Sequence, residues 1–99
     1  ASQVKFLPGM IISNEPGYYK ADAYGIRIEN LVVVKKNQNN YELETLTLAP
    51  LDKQLIEPNL LTKKEISWIN SYHKEVYRKL RNFLNPIETK WLKQECEDL

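Results

Sequence analysis

The period of the apolar residues changes once along the chain, and that change limits the fold more than any other feature. Before Pro50 the apolar residues lie in short runs rich in β-branched side chains: Met10-Ile11-Ile12, then Ile26, Ile28 and Leu31-Val32-Val33-Val34. Such runs suit a pleated sheet. After Thr62 the spacing becomes helical. Ile66, Ile69, His73, Val76, Leu80 and Phe83 recur at alternating steps of three and four, one stripe on a helix. Strands followed by helices give an α+β class: a small antiparallel sheet, then two C-terminal helices.

The strand half divides at its turn residues. Met10 to Asn14 reads as one strand, ended by Pro16-Gly17. Tyr18 to Tyr24 reads as a polar loop with aromatic residues. Gly25 to Val34 reads as a second strand, and Tyr41 to Leu48 as a third. The turn Lys35 to Asn40, KKNQNN, has no apolar residue and makes an antiparallel hairpin of the last two. All three glycines, Gly9, Gly17 and Gly25, read as turn or strand-end residues.

Pro50 to Asn59 is a connector, with a short helical turn near Asp52 to Ile56 limited by Pro58. Thr62 with Glu65 fits a capping box that opens a helix over about 63–84. Asn85 and Pro86 end it and start another over about 86–97, with Glu88 at the third position. Ile87, Trp91, Leu92 and Glu95 fall on one side of this second helix. The division is therefore residues 1–50 and residues 51–99.

The composition narrows the function classes. Lys and Arg number 14 against 13 Asp and Glu, a net charge of +1, and the two halves are each balanced. That implies no nucleic-acid partner and no membrane partner. The single cysteine, Cys96, excludes an internal disulfide and fits a reducing, cytoplasmic setting. No run approaches a membrane span, and no signal peptide is visible.

Two glutamates carry the candidate chemistry. Glu15 follows the run Met10 to Asn14, and Glu29 lies between Ile26-Arg27-Ile28 and Leu31 to Val34. A carboxylate in an apolar run is costly to bury without a partner. Hard divalent cations are one such partner. The plain alternative is that both sit on solvated strand faces. Arg27, two residues before Glu29, projects to the same face. The Tyr19 hydroxyl can reach a ligand or simply pack; Tyr18 and Tyr24 read as packing residues. His73 reads as a core or interface histidine. Cys96 lacks the companions of a nucleophile or a zinc ligand. Lys74, Arg78, Lys79 and Arg81 read as the wet face of the helix.

NEPGYY and GIRIEN, with fourteen residues from glutamate to glutamate, resemble the last two metal-ligand motifs of Xaa-Pro aminopeptidases. These enzymes belong to the creatinase and methionine aminopeptidase superfamily, with the pita-bread fold. TLTLAP at 45–50, DKQLIEPNLLTKKEISWINSYHKEVYRKL at 52–80 and Trp91-Leu92 resemble the C-terminal extension of the larger members. The resemblance implies that residues 1–50 are strands of a pita-bread catalytic domain and 51–99 a helical extension. It implies a metal-dependent enzyme that removes an N-terminal residue preceding proline. It implies two divalent ions, Mn2+ or sometimes zinc or cobalt, and a homodimer formed through the C-terminal helices. Glu29 matches the carboxylate that bridges both ions. Glu15 matches the one that binds a single ion and moves a proton, with Arg27 and Tyr19 supporting the ligands.

The family pattern has five ligands: two aspartates, a histidine, then two glutamates. Only the two glutamates are present in this chain, and His73 follows both, so it cannot be the family histidine. The chain thus reads as a C-terminal fragment, inactive alone. Two other readings stay open: a non-catalytic binding module of the same superfamily, and a free-standing dimerisation domain.

Overall fold

A computed structural model describes residues 4–99. The chain forms two units, one ending at Thr47 and one spanning Leu48–Leu99. The described residues of the first unit form five strands: β1 (Ile11–Asn14), β2 (Gly17–Lys20), β3 (Tyr24–Arg27), β4 (Asn30–Asn37) and β5 (Asn40–Thr45). β1, β4 and β5 make a three-stranded antiparallel sheet in the order β1-β4-β5, and β2 pairs with β3.

The structure corrects the sequence reading of the strand pairing. Tyr18 to Tyr24 is not a loop, because its tyrosines are strand formers and pair across a tight turn. Lys20 faces Tyr24, Ala23 N–H donates to Lys20 O at 3.1 Å, and Asp22 takes a positive φ of 58°. The single strand expected over Gly25–Val34 is broken into β3 and β4 around Ile28-Glu29. The break lies opposite Glu15-Pro16, where proline has no N–H to give to the ladder. The KKNQNN turn narrows to Gln38-Asn39, since Asn37 pairs with Asn40. A two-residue loop of this kind favours a positive φ, here 54° at Gln38. Lys35 lies within β4 and forms an ion pair with Glu44 of β5. On β4, Val32 and Val34 are buried, while Leu31 on the other face is exposed.

The second unit is helical, with α1 (Lys63–Leu80) and α2 (Pro86–Glu95). Short 3-10 turns cover Lys53–Leu55, Pro58–Leu60 and Arg81–Phe83. Both helices begin with a complete capping box. Thr62 Oγ1 accepts from Glu65 N–H at 3.1 Å and Glu65 Oε1 from Thr62 N–H at 2.8 Å. Asn85 Oδ1 accepts from Glu88 N–H at 2.8 Å and Glu88 Oε1 from Asn85 N–H at 3.0 Å. Each cap is worth about 1 kcal/mol.

The stripe on α1 buries Ile69, His73 and Val76. Phe83 does not follow it. The α-helix ends at Leu80, the 3-10 turn changes the period, and Phe83 is 84% exposed. Tyr72 takes its place in the core, beside Val76, Leu92 and Cys96, with Leu48, Leu51, Tyr77, Leu80 and Leu84 packed around them. On α2 the inward line is Leu92 and Cys96, four apart, while Ile87 and Trp91 point outward.

The connector is strapped to the helices by side chains. Tyr72 Oη accepts from Ala49 N–H at 3.3 Å and donates to Ala49 O at 3.1 Å. Leu51 N–H donates to His73 Nε2 at 3.0 Å. Lys53 Nζ donates to Gln94 O at 3.1 Å, an end carbonyl of α2, and to Glu97 O at 3.0 Å just beyond the helix.

His73 makes this strap pH-sensitive. Its Nε2 accepts from Leu51, so the imidazole is neutral with its proton on Nδ1, an atom with no hydrogen-bond partner among the described residues. Burial first, then the nearby Lys53 charge, push its pKa below the ordinary value; Glu95 acts the other way. The unfolded chain protonates near pH 6.5. Below that, it takes up a proton the folded state refuses. Stability is therefore full above about pH 6.5 and falls as the pH drops toward the lowered folded pKa. Urea unfolding at about pH 7.5 and about pH 5.5 checks this. Tryptophan emission reports on it, because Trp68 and Trp91 both lie in the helical unit. His73→Gln keeps an acceptor for Leu51 without titrating and should reduce the pH dependence. An undiminished dependence in that variant overturns the assignment.

Candidate metal centre

The site follows from the register of one ladder. β1 and β4 pair Ile11 with Val33 through Asn14 with Asn30. β2 and β3 pair Gly17 with Arg27 through Lys20 with Tyr24. The two sets share one offset, so Glu15 faces Glu29 directly across the break, and Pro16 faces Ile28. Ile28 N–H donates to Pro16 O at 3.2 Å, which makes Pro16–Ile28 a hydrogen-bonded pair and Glu15–Glu29 a non-hydrogen-bonded one. In such pairs the strands are closest and side chains are about 4.5–5.5 Å apart at Cβ. Strand alternation puts Ser13, Glu15, Tyr19, Arg27 and Glu29 on the same face.

Arg27 lies between the two carboxylates. Its Nε is 3.4 Å from Glu29 Oε2 and its Nη1 is 3.9 Å from Glu15 Oε1. All three side chains are about half exposed, so these ion pairs orient more than they stabilise. Ser13 Oγ donates to Glu15 Oε2 at 2.5 Å. That hydroxyl is the first cause holding the Glu15 carboxyl below the ordinary carboxylate value; Glu29 is next, and Arg27 adds to both.

The glycines have a purpose that the sequence pattern does not reveal. A Cβ on Gly17 would lie 2.8 Å from Arg27 Cγ, and one on Gly25 would lie 2.7 Å from the Tyr19 ring. Gly17 faces Arg27 and Gly25 faces Tyr19 in the ladder, so each glycine leaves the space into which its partner lies down. Both are packing gaps; Gly17 is also a strand-end residue, opening β2, while Gly25 lies within β3. Tyr19, Gly25, Arg27 and Glu29 line an open recess beside the acidic pair. Ser13 lies outside the two motifs, and Gly17 and Gly25 lie inside them without the space they leave being evident. Their signal is parity with Glu15 and Arg27, visible once the strands are paired.

The donor chemistry suits a hard divalent cation. Two carboxylates face one another across adjacent strands, and one guanidinium is already drawn to both. Among the described residues no group of three or more His, Cys, Asp or Glu is placed to hold a metal; Glu15 and Glu29 stand as a pair. His73 and Cys96 lie in the helical core instead.

Residues 39–99 match the C-terminal region of peptidase M24, and residues 1–36 match metallopeptidase family M24. The chain belongs to the M24 metallopeptidases. This M24 chain is 41% identical over 104 residues to "Probable Xaa-Pro aminopeptidase P" of Tuber melanosporum, covering 95% of this chain and 17% of that protein. It is 39% identical over 108 residues to the protein of the same name from Botryotinia fuckeliana, covering 99% of this chain and 16% of that protein. In the crystal structure of X-prolyl aminopeptidase from Caenorhabditis elegans, the matching region gives a TM-score of 0.82 at 33% identity. It covers 94% of this chain and 17% of that one. That enzyme is described as cytosolic, with a di-nuclear active site. This M24 chain thus spans about a sixth of the length of its relatives. Its α+β arrangement of small antiparallel sheets and two C-terminal helices agrees with the class read from the sequence.

Proposed function

We propose that this chain is the C-terminal part of a metal-dependent Xaa-Pro aminopeptidase, which removes an N-terminal residue preceding proline. The observation that carries the reading is the Glu15–Glu29 pair, face to face in one register within the stretch that matches the M24 family. Glu15 and Glu29 would hold two divalent ions, Mn2+ by the resemblance, together with ligands from the rest of the enzyme. When bound, such ions supply an activated water and polarise the scissile carbonyl. Glu29 would share its oxygens between both positions. Glu15 would hold one position and move the proton. Arg27 would keep the two carboxylates aimed at one point, and Tyr19 would offer its hydroxyl at the rim.

The test uses the full-length polypeptide that carries this segment, beside the 99-residue chain itself. The full-length protein with added manganese should hydrolyse an Xaa-Pro peptide, and the isolated chain should not. A full-length protein that binds no metal and cleaves nothing would return the reading to a binding module. Turnover by the isolated chain that disappears in Glu15→Gln would overturn the incomplete-site view.

The same reading includes a cytoplasmic homodimer joined through the C-terminal helices. What supports the interface is apolar exposure on and before α2: Phe83, Ile87 at 82%, and Trp91. Exposed patches of this kind mark contacts. The double variant Ile87→Asp with Trp91→Asp should halve the mass of the full-length protein in light scattering. A wild-type monomer refutes the dimer.

A further inference from the structure

Glu15 lies just beyond the end of β1, in the break between the two paired stretches. No strand bond on its own residue fixes it, so its carboxylate is placed by neighbours. Glu29 adjoins it across the strands, and Ser13 and Arg27 meet it at opposite oxygens. Ser13 Oγ is 2.5 Å from Oε2, and Arg27 Nη1 is 3.9 Å from Oε1. The serine is the shorter contact and the better anchored. Ser13 belongs to β1 and pairs with Leu31 of the three-stranded sheet. Arg27 is divided between two carboxylates and is closer to Glu29.

Resting on the proposed metal centre, we infer that Ser13 is a positioning residue for Glu15, fixing Oε2 so that Oε1 faces the ion site. The hydroxyl has one proton and gives it to Oε2. That oxygen is thereby engaged on the β1 side, and the other is turned toward the guanidinium that also meets Glu29. Each candidate ligand then has one dedicated orienting donor: Ser13 for Glu15, and Arg27 Nε for Glu29. A hydroxyl at this place suits the task better than a second cation, because it orients the carboxylate without competing for its charge.

Metal binding tests this without recourse to turnover. Titration calorimetry with Mn2+ on the metal-free full-length protein compares wild type, Ser13→Ala and Ser13→Thr. Ser13→Ala should weaken binding at one of the two ion positions by about 10–100-fold, the usual effect of removing an orienting partner. Ser13→Thr keeps the hydroxyl, is at home in a strand, and should bind as wild type. Ser13 is exposed, so folding should be unaffected, which circular dichroism verifies. Binding by Ser13→Ala as tight as wild type overturns the inference alone. Equal weakening in Ser13→Thr points to packing and overturns it too. A wild-type protein that takes up no Mn2+ overturns the metal reading, and this inference with it.

Discussion

Glu29→Gln in the full-length protein is expected to strip more metal than Glu15→Gln. Glutamine keeps the volume and removes the charge, so the comparison isolates the carboxylate. A carboxylate shared between two ions serves both, and one bound to a single ion serves only that one. Removing a partner behind a ligand already costs about 10–100-fold in affinity, so loss of a bridging ligand should exceed that at both positions. The geometry adds a second penalty. Arg27 Nε is 3.4 Å from Glu29 Oε2, and loss of that anion turns the guanidinium toward Glu15 as its one remaining partner. Metal per subunit after dialysis, measured by plasma emission, should fall toward none in Glu29→Gln and toward one ion in Glu15→Gln. Equal retention in the two variants contradicts the bridging assignment of Glu29.

Leu92→Ala should be the most damaging single truncation in the helical unit. Leu92 is 2% exposed and packs with Tyr72, Val76 and Cys96. Deleting a buried leucine to alanine costs about 2–5 kcal/mol, from lost transfer energy and the cavity left behind. Small domains have about 5–15 kcal/mol in all. The variant should therefore unfold at much lower urea or be unfolded outright. Lys90→Ala on the same helix is the control. Its side chain is exposed, so it should change stability by less than about 0.5 kcal/mol. Tryptophan emission during urea unfolding separates them. If Lys90→Ala proved as destabilising as Leu92→Ala, α2 would have to turn its Lys90 side to the core.

The helical half is largely legible because its boundaries are written in local chemistry. Thr62 with Glu65, and Asn85 with Glu88, satisfy backbone groups within four residues; the first box forms as expected, and the expected Asn85 cap is completed into a second box by Glu88. What misleads there is phase. The α period carries Phe83 inward, although a 3-10 turn begins at Arg81. On α2 the inward line passes through Cys96 rather than Ile87, which four-residue spacing alone does not decide. The strand half is harder because pairing is not local. The tyrosines of β2 and β3 look like loop residues until Lys20 is set opposite Tyr24. Glu15 and Glu29 stand out by their motifs, but their direct opposition follows only from that pairing. The packing role of Gly17 and Gly25 is hidden in the sequence because the bulk they make room for belongs to the opposite strand.

The hairpin tip acts as a ruler. From Lys20–Tyr24 to Ile11–Val33 one offset holds, so the length of the tip at Ala21 to Ala23 dictates which residue meets Glu15. A one-residue slip would bring Ile28 or Asn30 opposite Glu15 and turn Glu29 to the other face. The alignment of the acidic pair is thus specified several residues away, by a loop that contributes no atom to it. Residues added in matching numbers to both strands, between tip and carboxylates, would lengthen the arm and leave the pair aligned.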